Sequence, residues 1–302
     1  MLYLAVGGQA ALTVWAYIWE TRSHREPGAG LRGAALWTVA WLAIGLLPTL
    51  IFGLFQDSAA ATGYAAVYLI ERSLSLDNVF VFVVLIAAFA IPPQEQNRLV
   101  SIGSLFAFVV RAPAILVGVA LFKAVHPISY AFGALLVVFA IQTARSGGEA
   151  HAPGRTLAML QRRLPVSEPA GRRWVVRREQ GWAVTPMLMC VIALVLADVA
   201  FAVDSIPAGL AISHDQILLL TANLFALLGL RPLYQLVVAA RAGLRYMNET
   251  ISVLLGLVGL KLLLEEVLHV GPVVSLVSVT GVLAVGAGLS VYAARREPVS
   301  VD

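Results

Sequence analysis

Residues 71–78 read Glu71-Arg72-Ser73-Leu74-Ser75-Leu76-Asp77-Asn78, ERSLSLDN, between the apolar runs YAAVYLI (64–70) and VFVFVVLIAAFA (79–90). Two carboxylates, a guanidinium and an amide interrupt a segment that is otherwise long and apolar enough for a membrane helix. A charge at the bilayer centre costs about 2.5–3.5 kcal/mol on insertion scales, and intramembrane ionisable residues mark functional sites by default. The reading of this stretch decides the fold, because it makes residues 63–90 a membrane-spanning helix that carries charges.

The whole chain supports that reading. Its 302 residues are 60% hydrophobic and 13% charged, with net charge +4, and the mean hydropathy is +0.86. A soluble domain cannot bury that much apolar surface, so the composition implies an all-α polytopic membrane protein. A spanning helix needs about 20 mostly apolar residues. Nine stretches qualify: 2–19, 33–55, 63–90, 99–121, 127–144, 183–212, 216–238, 250–268 and 271–292. The first lacks a basic leading region and reads as a retained helix, not a signal peptide. Cys190 is the single cysteine, which excludes an intramolecular disulfide and a thiolate metal cluster.

The basic residues set an orientation. Arg22, Arg25, Arg32, Arg98, Arg241, Arg245, Arg295, Arg296 and eight arginines between 145 and 182 fall on one side, against Lys123 on the other. The bias places the N-terminus outside and the C-terminus in the cytoplasm. The positive charge therefore follows topology and is no sign of nucleic acid; the partner it implies is the lipid bilayer. The connection 145–182 is read as a solvated, arginine-rich cytoplasmic loop within a single transmembrane domain covering 1–302.

ERSLSLDN has an echo, DVAFAVDS at 198–205. Both fit acid-x-x-[LF]-[SA]-[LV]-D-[NS]. A second echo follows in the same order. SLFAFVVRAP (104–113) resembles NLFALLGLRP (223–232), with one residue inserted before the arginine. Two ordered matches suggest duplication, with repeat units 63–144 (helices 3–5) and 183–268 (helices 6–8). Three helices per unit would invert the second unit, the arrangement of many secondary transporters.

Glu71, Asp77, Asp198 and Asp204 would together cost on the order of 10 kcal/mol if unpaired. Cations, protons or arginines must offset this. Residues six apart face different sides of a continuous helix, so a shared site for each pair requires a local break near Asp77 and Asp204. Pro207 favours one in the second motif. Asn78 and Ser205 add neutral oxygens. Carboxylate, amide, hydroxyl and carbonyl oxygens suit manganese, magnesium or calcium better than copper or zinc. The competing reading makes the acids structural, each locked to Arg72, Arg111 or Arg231. Arg111 and Arg231 themselves read as snorkelling residues near helix ends. Asn223 is positioned to donate to a carboxylate, and Lys261 is either a gating charge or another snorkelling residue. No phosphate-binding loop of the G-x-x-x-x-G-K-[ST] type is present, which argues against an ATP-driven pump.

SLDNVFVF (75–82), FAVDSIPA (201–208), NLFALLGLRPLY (223–234) and GLKLL (259–263) resemble the signatures of the TerC family of integral membrane proteins. The resemblance covers roughly 64–268. It implies manganese efflux across the bacterial cytoplasmic membrane, with calcium carried by some relatives and a historical link to tellurite resistance. It implies a transported ion and no tightly bound cofactor. It places Asp77, Asn78, Asp204 and Ser205 in the ion site, with Glu71 and Asp198 beside it. Two departures stand out. Position 195 is valine where relatives often carry glutamate, and the segment usually reading T-S-N is Thr221-Ala222-Asn223.

Overall fold

The computed structural model describes residues 2–23, 30–117, 126–145, 173–178, 181–243, 246–264, 267 and 270–296. Ten helices and one hairpin make up the described residues. The first five helices are α1 (Leu2–Ser23), α2 (Leu31–Phe55), α3 (Ser58–Ala88), α4 (Pro93–Val117) and α5 (His126–Arg145). The hairpin pairs β1 (Val175–Arg178) with β2 (Gly181–Val184) in antiparallel register. The remaining helices are α6 (Pro186–Leu210), α7 (Gln216–Leu228), α8 (Leu230–Gly243), α9 (Met247–Leu264) and α10 (Pro272–Arg296).

Helix starts follow from capping chemistry, in which a side-chain oxygen takes up an otherwise unpaired N–H of the first turn. Asp57 accepts from Ala60 N at the head of α3. Asp215 accepts from Ile217 N and Leu218 N at the head of α7. Thr185 caps α6 ahead of Pro186, where a missing N–H does no harm. The end of α3 is closed by bonds from Ala90 N to Ala87 O and from Ile91 N to Ile86 O. Ala90 adopts φ +53°, the left-handed conformation this closure needs.

α3 is the axis of the bundle. Every residue from Asp77 to Ile86 is buried, and α3 packs against α2, α6, α7, α8, α9 and α10. A helix apolar all round belongs in a core. The outside of the bundle is apolar as well: Leu54 is 82% exposed, Leu36 72% and Val273 70%. Apolar patches over the full length of α2 and α10 suit a lipid surround.

The expectation of nine spans is corrected. By length and apolar composition, five segments of the described residues can cross a membrane: Leu31–Phe55, Pro93–Val117, Pro186–Val203, Gln216–Ala240 and Val273–Ala293. The shortfall has physical causes. α3 is 31 residues long but carries Glu71, Arg72 and Asp77 in its middle. The apolar parts of α1 and α5 reduce to Leu4–Trp15 and Ser129–Arg145. α9 has 18 residues and opens on Asn248 and Glu249.

The inverted pair of three-helix units is corrected too, since no clear 3+3 arrangement is evident among the described residues. The second echo does not form the same element as the first. α4 runs through Arg111 without a break, whereas its echo divides at Gly229 into α7 and α8, where the inserted residue must be accommodated. The breaks expected near Asp77 and Asp204 are absent as well, because α3 and α6 continue through both positions. Most of the connection 145–182, including Arg155, Arg162, Arg163 and Arg172, lies outside the described residues. Its C-terminal part is folded rather than loop, with β1 and β2 leading into the Thr185 cap.

α5 and α9 cross through a pair of glycines. A Cβ on Gly133 would lie 2.9 Å from the Gly259 carbonyl oxygen, and one on Gly259 would lie 2.8 Å from that of Gly133. Small residues at such crossings let helix backbones approach. Gly259→Val should therefore lower stability by about 1–3 kcal/mol through overpacking, read as an earlier thermal unfolding in detergent. Gly281→Val, where an added Cβ meets nothing within 4 Å, should leave the transition in place.

Candidate functional site

The charged residues of ERSLSLDN divide by helical geometry. Glu71 and Asn78 are seven residues apart, two turns of one helix, and so share a face; Asp77 points elsewhere. Asp198 and Ser205 on α6 have the same seven-residue relation. Between the two helices reaches Arg111 of α4. Its Nε and Nη2 donate to the two oxygens of Asp198 at 2.8 and 2.6 Å. Its Nη1 donates to Glu71 Oε2 at 3.1 Å. Asn78 Nδ2 lies 3.5 Å from Asp198 Oδ1. The three charged side chains are all at most 5% exposed.

Two carboxylates share one guanidinium, so this cluster carries a formal charge of −1 when both acids are ionised. Other polar groups on α3, α6 and α7 are left without hydrogen-bond partners. Asn78 Oδ1, Ser205 Oγ and both amide atoms of Asn223 are buried with no partner among the described residues. Asn223, 1% exposed, lies beside Glu71 without reaching hydrogen-bond geometry. Buried polar groups left unsatisfied cost about 1–3 kcal/mol each, and such groups call for an explanation.

Asp77 faces α10, where Ser275 Oγ donates to its Oδ2 at 2.8 Å. Ser275 also lines a cavity of about 200 Å³ between α9 and α10, together with Lys261 and Ser278. Arg72 turns away from the carboxylates and donates from Nη1 to Ala226 O at 3.2 Å. That carbonyl belongs to the last turn of α7, where a cation meets the negative end of the helix dipole. Gly229 makes room for it, because a Cβ there would fall 2.5 Å from Arg72 Nη1. Arg231, 1% exposed, lies in the first turn of α8.

The structure thus brings Glu71, Asn78, Arg111 and Asp198 together, sets Asn223 beside them, and puts Asp77 against Ser275. Asp204 lies within α6, and its side chain is outside those described. No group of three or more histidine, cysteine, aspartate or glutamate side chains able to hold a metal occurs among the described residues. A cation held here would have to take neutral oxygens from Asn78 or Asn223 into its shell. Arg111 and Arg231, expected to snorkel, are instead buried. Sequence reasoning did not find Ser275. Its only signal was a serine early in an apolar helix, which back-bonding to the helix would explain equally well.

The comparisons agree with this picture of a membrane bundle. Residues 56–298 match the Integral membrane protein TerC family. The chain belongs to the TerC family. The match extends past residue 268 through α10, so Ser275 falls within the TerC region. One relative, "Putative membrane-bound redox modulator Alx" of Photorhabdus laumondii, is 32% identical over 279 residues, covering 89% of this chain and 87% of that protein. The "Uncharacterized membrane protein STKORF319" of Myxococcus xanthus is 32% identical over 270 residues, covering 88% and 83%. The "Thylakoid membrane protein TERC, chloroplastic" of Arabidopsis thaliana is 35% identical over 216 residues, covering 70% of this chain and 56% of that protein. No solved structure matches.

Removing one partner of a buried ion pair strands the other charge, at a cost of about 3–5 kcal/mol. Arg111→Ala should lower thermal stability in detergent by about that amount. Adding Glu71→Gln and Asp198→Asn to the same chain should restore much of the loss, because the stranded charges are then gone. Equal melting of the single and triple variants would show that the charges are not coupled.

Proposed function

We propose that this TerC-family protein exports a divalent cation, manganese, across the bacterial cytoplasmic membrane in exchange for protons. The observation that carries the reading is the cluster of Glu71 and Asp198 on one guanidinium. It is buried, formally negative when both acids are ionised, and bordered by Asn78 Oδ1 and the Asn223 amide, which have no hydrogen-bond partner among the described residues. A purely structural lock would be expected to balance its charges and satisfy its polar groups. An ion site is built to leave both incomplete until the cargo arrives.

Asp77, Asp204, Asn78 and Ser205 are assigned to the ion's path with Glu71 and Asp198, and Asn223, Arg231 and Lys261 support it. The donors are hard oxygens, which suit manganese or calcium. Raw affinity still favours zinc over manganese, so discrimination must come from ligand number and geometry. Protons compete with the cation for the same carboxylates, so apparent manganese affinity falls as pH is lowered. The distribution of arginines supports an N-terminus outside, a cytoplasmic C-terminus and a cytoplasmic 145–182 connection.

A second reading makes the chain a membrane partner that assists metalation or assembly of exported proteins without moving ions. What favours it is the completed bidentate pair between Arg111 and Asp198, which a fixed lock would also contain. The redox role in the name of the Photorhabdus relative would have one cysteine here, Cys190, which is buried.

Reconstitution into liposomes separates these readings. The intact chain should carry manganese against a set pH gradient, and Asp77→Asn, Asp198→Asn or Asp204→Asn should each cut the flux by at least about tenfold, a loss of about 1.4 kcal/mol or more. Glu71→Gln should weaken the pH dependence. Absent flux in the intact chain would favour the partner reading, and calcium flux without manganese flux would change the cargo.

Orientation has its own test. A cysteine replacing Ser167, in a Cys190→Ala background, should resist impermeant thiol reagents applied outside intact cells. Ready labelling would reverse the topology and exchange the entry and exit sides.

A further inference from the structure

We propose that Arg111 is an exchangeable, tethered cation: its guanidinium occupies the carboxylates of Glu71 and Asp198 when no metal is bound, and the metal displaces it. The inference rests on the divalent-cation reading above and names how that site is regulated.

Geometry sets the two occupants in competition. Both oxygens of Asp198 and one of Glu71 already accept hydrogen bonds from the guanidinium, at 2.6, 2.8 and 3.1 Å. An ion taking the same lone pairs, at the roughly 2.0–2.6 Å of carboxylate–metal bonds, would overlap the guanidinium nitrogens. An ion on the remaining lone pairs would face the guanidinium charge across a shared carboxylate in a medium that screens charge poorly.

Charge favours departure. With Arg111 in place and both acids ionised the cluster is −1. With a divalent ion in place of Arg111 the same two carboxylates are neutralised. Among the described residues, the titratable and charged groups of the cluster are Glu71 of α3, Arg111 of α4 and Asp198 of α6. The α7 side presents the neutral Asn223.

The backbone permits the movement. Pro113 sits inside α4 two residues beyond Arg111, and a helix proline removes the bond to the carbonyl four residues back, that of Val109. Arg111 thus lies in an interior turn of α4 that lacks one backbone hydrogen bond. A neutral oxygen that would add to a metal shell is already present: Asn78, whose Nδ2 lies 3.5 Å from Asp198 Oδ1, has its Oδ1 buried without a partner among the described residues.

The test measures manganese binding and flux with the purified full chain. Arg111→Gln removes the tethered charge but keeps a polar side chain of similar reach. It should bind manganese at least about tenfold more tightly while turning over more slowly, because nothing drives the ion off. Arg111→Lys, a cation without the bidentate fork, should fall between. Unchanged or weaker manganese binding by folded Arg111→Gln would overturn the proposal and make Arg111 a fixed structural partner. The unsubstituted chain supplies a second readout, should that variant not fold. Phenylglyoxal modification of Arg111, followed by mass spectrometry, should rise when manganese is added, with buried Arg72 as the internal reference. Equal modification with and without manganese would likewise overturn it. An intact chain that neither binds nor carries manganese would remove the cation reading itself, and this proposal with it. Manganese flux in the intact chain without tighter binding in the variant would remove this proposal alone.

Discussion

A guanidinium placed between two carboxylates in an apolar bundle imposes conditions on everything near it. None of the three groups can reach water, so each must find its partners inside. The attraction that compensates their desolvation depends on close, well-aligned contacts. Arg111 supplies these by meeting Asp198 with two parallel hydrogen bonds, the strongest arrangement available to that pair. Three helices, α3, α4 and α6, are therefore held in register by one side chain. That requirement explains why α3, despite its charges, is enclosed within the bundle. Its acids must sit where α4 and α6 can both reach them.

The same constraint shapes the neighbouring elements. Arg72 follows Glu71 directly and cannot share its face, so it needs a different source of negative potential. The end of α7 provides one in the carbonyl of Ala226, and it exists because the helix stops at Gly229. A continuous helix through 229 would consume those carbonyls in its own ladder, and any side chain there would collide with the guanidinium. The break, the glycine and the buried arginine are thus three parts of one solution. The residue inserted before Arg231 relative to the 104–113 segment is what gives the chain slack to make that break.

Several of these features were legible in the residues alone. The membrane class followed from composition, and the acids that matter were exposed as anomalies within apolar runs. The 104–113 and 223–232 echoes pointed to Arg111 and Asn223 before any coordinates did. What did not follow was geometry that depends on tertiary placement. A count of apolar stretches treats 63–90 as an ordinary span, whereas its three buried charges make it an interior helix. Pattern matching treated 223–232 as a copy of 104–113, although one inserted residue turns a continuous helix into two. Arg111 looked able to snorkel because position along a helix does not reveal whether water or protein lies beside it. Ser275 was invisible because a lone serine in an apolar helix has a local explanation, and only the approach of α10 to α3 supplies a different one.

That serine differs from others in the bundle in a way that bears on how the acids are kept apart. Ser75, Ser104, Ser278 and Ser290 return their hydroxyl protons to the carbonyl four residues earlier. Ser275 gives its proton to Asp77 across a helix interface. Asp77 and Glu71 are six residues apart on one unbroken helix, and two carboxylates on the same guanidinium already leave that cluster one charge in excess. A third carboxylate turned toward Arg111 would raise the excess further in a medium that screens charge poorly. Facing Asp77 toward α10, where a hydroxyl can meet it, separates the acids into two environments. Under the cation export proposed above, a charged cargo would meet these carboxylates in sequence and not all at once.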